Sequence, residues 1–178
     1  MPDIDVPDEY RRIGDFYEDL AGVLAWPDEA LFGVAADVSA WSPAHHVFHI
    51  AVSHGMMFKG IQLISLERSP AVVGGAPTRI GAFVLAQEVM PRGKGTAPEP
   101  VRPPETFARA DLDRAVARSR ERYEKTAALL PSLAGLTYRL EHPYFGYLTA
   151  IEWLRVVRIH GAHHLAIIRD IAAGQVIA

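Results

Sequence analysis

Eight histidines and no cysteine define the chemistry open to this 178-residue chain: imidazole supplies its soft ligands, and thiolate ligands, disulfides and cysteine nucleophiles are excluded. His160 and His164 stand one helical turn apart in IEWLRVVRIHGAHHLAIIRDI, residues 151–171. Helical spacing puts Trp153, Val156, Val157, His160, His164, Ile167 and Ile171 within roughly 100° of arc, so two imidazoles interrupt an apolar stripe. Each ring nitrogen of a buried imidazole needs a partner, because one left unpaired costs about 1–3 kcal/mol. A metal ion shared by the two rings meets that need. Taken alone, the pair is explained equally well by core histidines bonded to other side chains or to buried water. Arg155, Arg158 and Arg169 lie opposite the stripe and are expected to face water.

A second group, His45, His46, His49 and His54, lies in WSPAHHVFHIAVSH, residues 41–54. Val52, Ser53, Met56, Gly60, Leu63 and Ile64 share the direction of His49 within about 60°, whereas His54 points about 140° away. His45 and His46 are near that direction but sit in the first turn of their helix. If the two histidine-bearing helices are neighbours, His49 meets His160 and His164 inside the protein. Three imidazole nitrogens then surround one ion, at about 2.0–2.1 Å for zinc, and leave a position open for water or substrate. Around this site Ser53 is a candidate pocket residue. His163, about 60° off His160, is expected in an outer shell or at an interface. His142, just before Pro143, is expected to anchor a loop or rim the pocket, and Tyr144 and Tyr147 to line its mouth.

The elements that must position these residues are helices. Asp8 to Leu24 carries Tyr10, Ile13, Phe16, Tyr17, Leu20 and Leu24 at helical spacing. Ser42–Pro43 is a helix start, a hydroxyl cap followed by proline at the first position. The helix it opens runs to about Leu66 and is apolar nearly all round, which suits the middle of a bundle. Phe107 to Leu130 has an apolar stripe and a charged wet face, with Pro131 ending or bending it. Thr149-Ala-Ile-Glu152 is a capping box for the last helix, and Gly174 reads as the residue that closes it. A short turn of helix is expected from Pro27 to Phe32 and another from Ile80 to Val89. Residues 72–102 form a Gly/Pro-rich excursion between the second and third long helices. Its PRGKGTAPEP stretch lacks the spacing of a phosphate-binding loop. Leu133 to Leu148 reads as a connection, and no stretch reads as a strand. An all-α four-helix bundle follows, formed as one domain over residues 1–178.

Composition narrows the partners. Hydrophobic content of 49% and charged content of 22% are those of a water-soluble globular protein. The net charge of −3 with scattered Lys and Arg gives no basic stripe for nucleic acid or anionic membrane. The acidic start MPDIDVPDEY has no secretory pattern, and Val38–Phe58, the longest stretch without a charged residue, holds four histidines and is a poor membrane span. The expected compartment is the cytoplasm.

On these residues the chain resembles the DinB superfamily. Trp41 to His54 is similar to that family's second-helix signature, with His49 at its metal-binding histidine. RIHGAHHLAIIRD, Arg158 to Asp170, resembles the last-helix H-x-x-x-H, matched by His160 and His164. HPYFGYLTAIEWL, from His142, resembles the HP-x-x-G-x-L-T segment of an uncharacterised branch. The resemblance implies an up-and-down four-helix bundle, often a homodimer, holding a divalent metal such as zinc or nickel on three histidines. Relatives include thiol-dependent S-transferases and a thiol-dependent isomerase. One position departs: relatives commonly carry an acid three residues after the second-helix histidine, where this chain has Val52.

The expected function is accordingly that of a metal-dependent enzyme transferring an external low-molecular-weight thiol to an electrophilic small molecule. Hydrolysis by metal-bound water is an alternative, with Glu88 or the more distant Glu67 as base. A non-catalytic bundle with a structural metal, or an interaction module, is another.

Overall fold

The computed structural model describes residues 4–93 and 95–177. In chain order its α-helices among those residues are α1 (Val6–Leu24), α2 (Asp28–Phe32), α3 (Pro43–Ser65), α4 (Arg79–Gln87), α5 (Arg109–Thr126), α6 (Leu130–Leu133) and α7 (Ala150–Ile177). The four long ones, α1, α3, α5 and α7, make the bundle. α3 packs against both α5 and α7, and α1 packs against α7. Tyr10 stacking on Tyr123 at 4.4 Å and the Tyr17–Ser119 hydroxyl bond of 2.6 Å close α1 onto α5. Ile13, Leu20, Ile50, Ile61, Leu112, Leu154, Ile159 and Ile168 fill the centre.

Pairs of contacts give the helix directions. His46 meets His164 and His54 meets His160, so α3 and α7 are antiparallel. Glu9 meets Arg155 and Asp19 meets Arg169, so α1 and α7 run together. Phe48 packs on Phe107 and Gly55 accepts from Arg122, so α3 and α5 also run together. The excursion between α3 and α5 is therefore a crossover that returns the chain along the length of the bundle, and the four long helices run up, down, down and up rather than in the up-and-down order the resemblance implies.

Local signals set the helix starts. The Ser42 hydroxyl accepts the His45 N–H at 3.3 Å with Pro43 just inside the helix. Glu152 accepts the Thr149 N–H at 2.7 Å while the Thr149 hydroxyl accepts the Glu152 N–H at 3.3 Å, completing the capping box. Four details differ from the sequence reading. α7 continues through Gly174 to Ile177, because Gly174 does not adopt the left-handed conformation of a helix-ending glycine. α5 ends at Thr126, short of Leu130, and Pro131 lies in the first turn of α6, where its missing N–H is harmless.

The third difference is a small sheet. β1 (Val72–Val73), β2 (Tyr138–His142) and β3 (Gly146–Thr149) form an antiparallel sheet in that order. Tyr138-Arg139-Leu140-Glu141 does alternate apolar and polar, but over too few residues to stand out beside the helices. Gly146 sits at φ 75°, where a Cβ would lie 2.7 Å from the Ala76 carbonyl oxygen; the turn and the approach of residues 76–78 both require glycine here. Thr78 and Tyr147 then donate their N–H groups to Phe145 and Ala76, tying the excursion to the hairpin.

The fourth is electrostatic. Arg155 and Arg158 do not face water; they are 5% and 6% exposed, because α1 and the end of α4 cover that side of α7. Glu9, 2% exposed, accepts from Arg155 Nε at 2.7 Å and from Arg158 Nε, and Glu88 accepts from Arg158 at 2.6 Å. Glu88 caps α4 in the left-handed conformation, φ 56°, which turns its carboxylate toward these guanidinium groups. Arg169 is exposed and pairs with Asp19. No helix among the described residues is long and apolar enough to cross a membrane.

Removing Glu9 leaves two buried cations without their main partner. Glu9→Gln should lower stability to unfolding by about 3–5 kcal/mol, whereas Asp15→Asn, at an exposed pair with Arg11, should change it by less than about 1 kcal/mol. Urea unfolding of the two variants checks this. His142 gives a pH dependence. Its Nδ1 accepts the N–H groups of Tyr144 and Phe145 at 3.1 and 3.2 Å, and burial pushes its pKa down from 6.5 to about 4. The unfolded chain takes up a proton there that the folded chain resists. This contribution is present above pH 6.5 and is lost as pH falls toward 4. His142→Asn keeps an acceptor for the turn and cannot titrate, so its urea midpoint should fall less than the wild type's between about pH 7 and about pH 5.

Candidate metal centre

The second turn of α3 and the middle of α7 face each other across the bundle, and that juxtaposition builds the site. His49 Nε2 lies 3.1 Å from His160 Nε2. The His164 ring centroid is 4.7 Å from that of His49 and 4.6 Å from that of His160. One ligand atom from each of the three residues falls within 4.8 Å of the others, and all three side chains are buried. Two ligands on an ion at 2.0–2.1 Å stand roughly 3.3 Å apart in a tetrahedral shell, so the 3.1 Å separation is close to what convergence on one cation requires.

The outer nitrogens are partly committed. His49 Nδ1 donates to the Val101 carbonyl at 2.8 Å, which turns its Nε2 lone pair toward His160. Val101 closes a 3-10 turn (Glu99–Val101) in the excursion, so the crossover supplies this anchor. His164 Nδ1 lies 2.9 Å from His46 Nδ1. His160 Nδ1 is buried and has no hydrogen-bond partner among the described residues. The facing Nε2 pair with a third buried imidazole alongside fits an ion at the centre.

Electrostatics keep the site neutral and basic in the Lewis sense. Burial pushes the pKa values of His160 and His164 well below 6.5, and the neighbouring imidazoles push the same way. Burial also lowers His49, against the Val101 bond that favours its charged form. Unprotonated imidazole is the ligating form, so a metal displaces few protons here at neutral pH.

Other residues singled out by sequence fall in different places. His163 is half-buried at the edge, its ring 4.9 Å from that of His164 and beside the Met90 carbonyl. Ser53 is buried one turn along α3 from His49, with its hydroxyl unpaired among the described residues. His142 belongs to the hairpin, stacked on Phe145 at 4.2 Å. Tyr144 is exposed on the same turn and donates to the Thr96 carbonyl at 2.7 Å; Tyr147 packs over Gly75. Glu88 is committed to the arginines, and Glu67 is exposed beyond the end of α3.

Three residues beside the ligands have surroundings that the sequence reading does not give. His46 was set aside as a first-turn residue, but α7 is long enough to carry His164 up to it. His54 was set aside because it points about 140° from His49, yet α3 is enclosed on all sides and that direction is also interior. Its ring is 5.4 Å from that of His160, framed by Phe16, Tyr17 and Phe58. Gly161 makes the room, since a Cβ there would lie 3.0 Å from Phe16 and 3.2 Å from His54. Trp41 is the third, its ring 5.3 Å from both His46 and His49.

Neither ring nitrogen of His54 makes a well-formed hydrogen bond among the described residues, and burial pushes its pKa down to about 3 against the weak pull of the nearby Val157 carbonyl. An apolar side chain of similar length would remove that penalty. His54→Leu should therefore stabilise the metal-free protein by about 1 kcal/mol or more, read as a raised Tm, and leave three-histidine zinc binding in place.

A family model described as the DinB superfamily matches residues 15–168. The crystal structure of TT2238, described as a four-helix bundle protein, is similar with a TM-score of 0.57 and 16% identity, covering 92% of this chain and 96% of that one. No curated protein matches the chain.

Proposed function

The chain belongs to the DinB superfamily, and from that premise we propose that it is a divalent-metal-dependent enzyme transferring an external thiol to an electrophilic small molecule. The observation that carries this reading is the convergence of His49, His160 and His164 in surroundings that are themselves uncharged. The groups against the three rings are imidazole, indole and a backbone carbonyl. Three neutral ligands leave the full charge of a zinc or nickel ion to attract an anion. Such an ion supplies Lewis acidity that brings a thiol's pKa down toward neutrality.

The chain's own residues do the rest. The Val101 carbonyl fixes the direction of His49, and Trp41 walls one side of the histidine cluster. With no cysteine in the sequence, the sulfur comes from a second substrate. Thiol activation also suits the placement of the acids: a thiol ionises near pH 8.5 and needs little help, whereas water needs a base. The two carboxylates considered for that base lie in the arginine cluster and beyond the end of α3. The reading includes the cytoplasm, where small thiols stay reduced, and a homodimer, the assembly its family resemblance implies.

Elemental analysis of natively purified protein should find a stoichiometric divalent metal, zinc or nickel. His49→Ala, His160→Ala and His164→Ala should each weaken zinc binding by roughly a hundred-fold or more and abolish thiol-dependent turnover of electrophilic probes. A purified chain that neither carries nor takes up a divalent ion overturns the proposal. A metal-loaded chain that turns over no thiol–electrophile pair overturns the transferase part alone.

A further inference from the structure

His46 is a buried, titratable group that the site as described does not use, and its hydrogen bonds run in one line. The Trp41 N–H donates to Ser39 Oγ at 3.1 Å. Ser39 Oγ lies 3.0 Å from His46 Nε2, and His46 Nδ1 lies 2.9 Å from His164 Nδ1. Two facing Nδ1 atoms hold one hydrogen between two neutral rings, so the line has only two consistent arrangements. In one, the Ser39 hydroxyl donates to His46, His46 donates to His164, and the remaining hydrogen of His164 occupies Nε2. In the other, His164 Nδ1–H donates to His46 Nδ1, and His46 Nε2–H donates to Ser39. Only the second leaves His164 a free lone pair, at Nε2. Ser39 Oγ can then accept from both Trp41 and His46, as its two lone pairs allow.

We propose that Ser39 and His46 form a relay that fixes His164 as its Nδ1–H tautomer and that His46 is a positioning residue for the three-histidine centre. This rests on the metal reading above for its purpose but not for its hydrogen bonds. The relay does for His164 what the Val101 carbonyl does for His49. A backbone carbonyl only accepts, so His49 is oriented without further support. His46 both accepts and donates, and its orientation depends on Ser39, which stands in the connection between α2 and α3. The same connection carries Trp41, whose ring contacts both His46 and His49. The segment leading into α3 thereby aligns a ligand on α7, a helix that starts 100 residues and more downstream.

The test combines zinc titration with long-range proton–nitrogen NMR of the histidine rings, on wild type, His46→Leu, His46→Asn and Ser39→Ala. In the metal-free wild type His164 should carry its hydrogen on Nδ1 and His46 on Nε2. His46→Leu should weaken zinc binding by about ten- to a hundred-fold and leave His164 with mixed tautomers. His46→Asn places an amide oxygen where Nδ1 stood and should restore most of the affinity and the single tautomer. Ser39→Ala should shift His46 toward its other tautomer and weaken zinc binding less. A wild-type His164 with its hydrogen on Nε2 overturns the proposal. So does His46→Leu with undiminished zinc affinity, or His46→Asn that fails to rescue while folded. If the wild type takes up no zinc, the metal reading falls and the tautomer of His164 alone decides the relay. If His46→Leu does not fold, the wild-type spectrum and His46→Asn decide it.

Discussion

A buried imidazole has to satisfy two ring nitrogens with one hydrogen, and much of this structure is arranged around that demand. His49, His160 and His164 are largely shielded from solvent, together with His46 and His54. Their partners must come from the fold or from a ligand. For His49 the partner is a carbonyl of the excursion, and for His164 it is a second histidine backed by a serine. His160 has none on its Nδ1 side. Two rings held from behind and a third held only by the centre describe a site whose geometry is completed by what it binds. The depressed pKa values follow from the same burial, because a bundle interior penalises every added charge.

The other buried polar group obeys the opposite logic. Glu9, Arg155 and Arg158 are ionised and interior, and they survive because each charge meets an opposite one at hydrogen-bond distance. Glu88 completes the set from the end of α4. α7 thus carries cations on one face and neutral imidazoles on another, Arg158 and His160 being two residues apart. A charge-balanced face and an uncharged face let one helix serve as both the anchor of α1 and the floor of the site. The arginine pairs keep their positive charge compensated locally and so add little to the field at the histidines.

Much of this was legible in the sequence where the signal was periodic or local. The four long helices, the Ser42 and Thr149 caps and the one-turn pairing of His160 with His164 follow from spacing over one or two turns, whereas the meeting of His49 with that pair also needed the two helices to be neighbours. What was not legible depends on which element covers a face. Arg155 and Arg158 sit on the polar side of a helical wheel, and nothing local says that Glu9, 146 residues from Arg155, will come to rest on them. The wheel rightly keeps His54 out of the ligand set, but it gives directions and not neighbours, so the full enclosure of that ring was not legible. The short sheet escaped because strands of two to five residues carry little periodicity.

The excursion ties these points together through topology. α3 and α5 run in the same direction, so the chain leaving α3 must travel back along a helix of 23 residues, about 35 Å, before α5 can begin. Such a return has to cross the outside of the bundle, and here it passes over the histidine end. On the way it delivers Glu88 to the arginines, Met90 to His163, Val101 to His49 and Glu105 to His45. A bundle with short hairpins at every corner would leave those four partners to water. The long Gly/Pro-rich stretch is therefore the backbone route by which this end of the bundle acquires outer partners for its arginines and imidazoles. Its composition suits that role: glycine and proline hold an irregular path against the bundle, while the path itself exposes carbonyls to the nitrogens beneath.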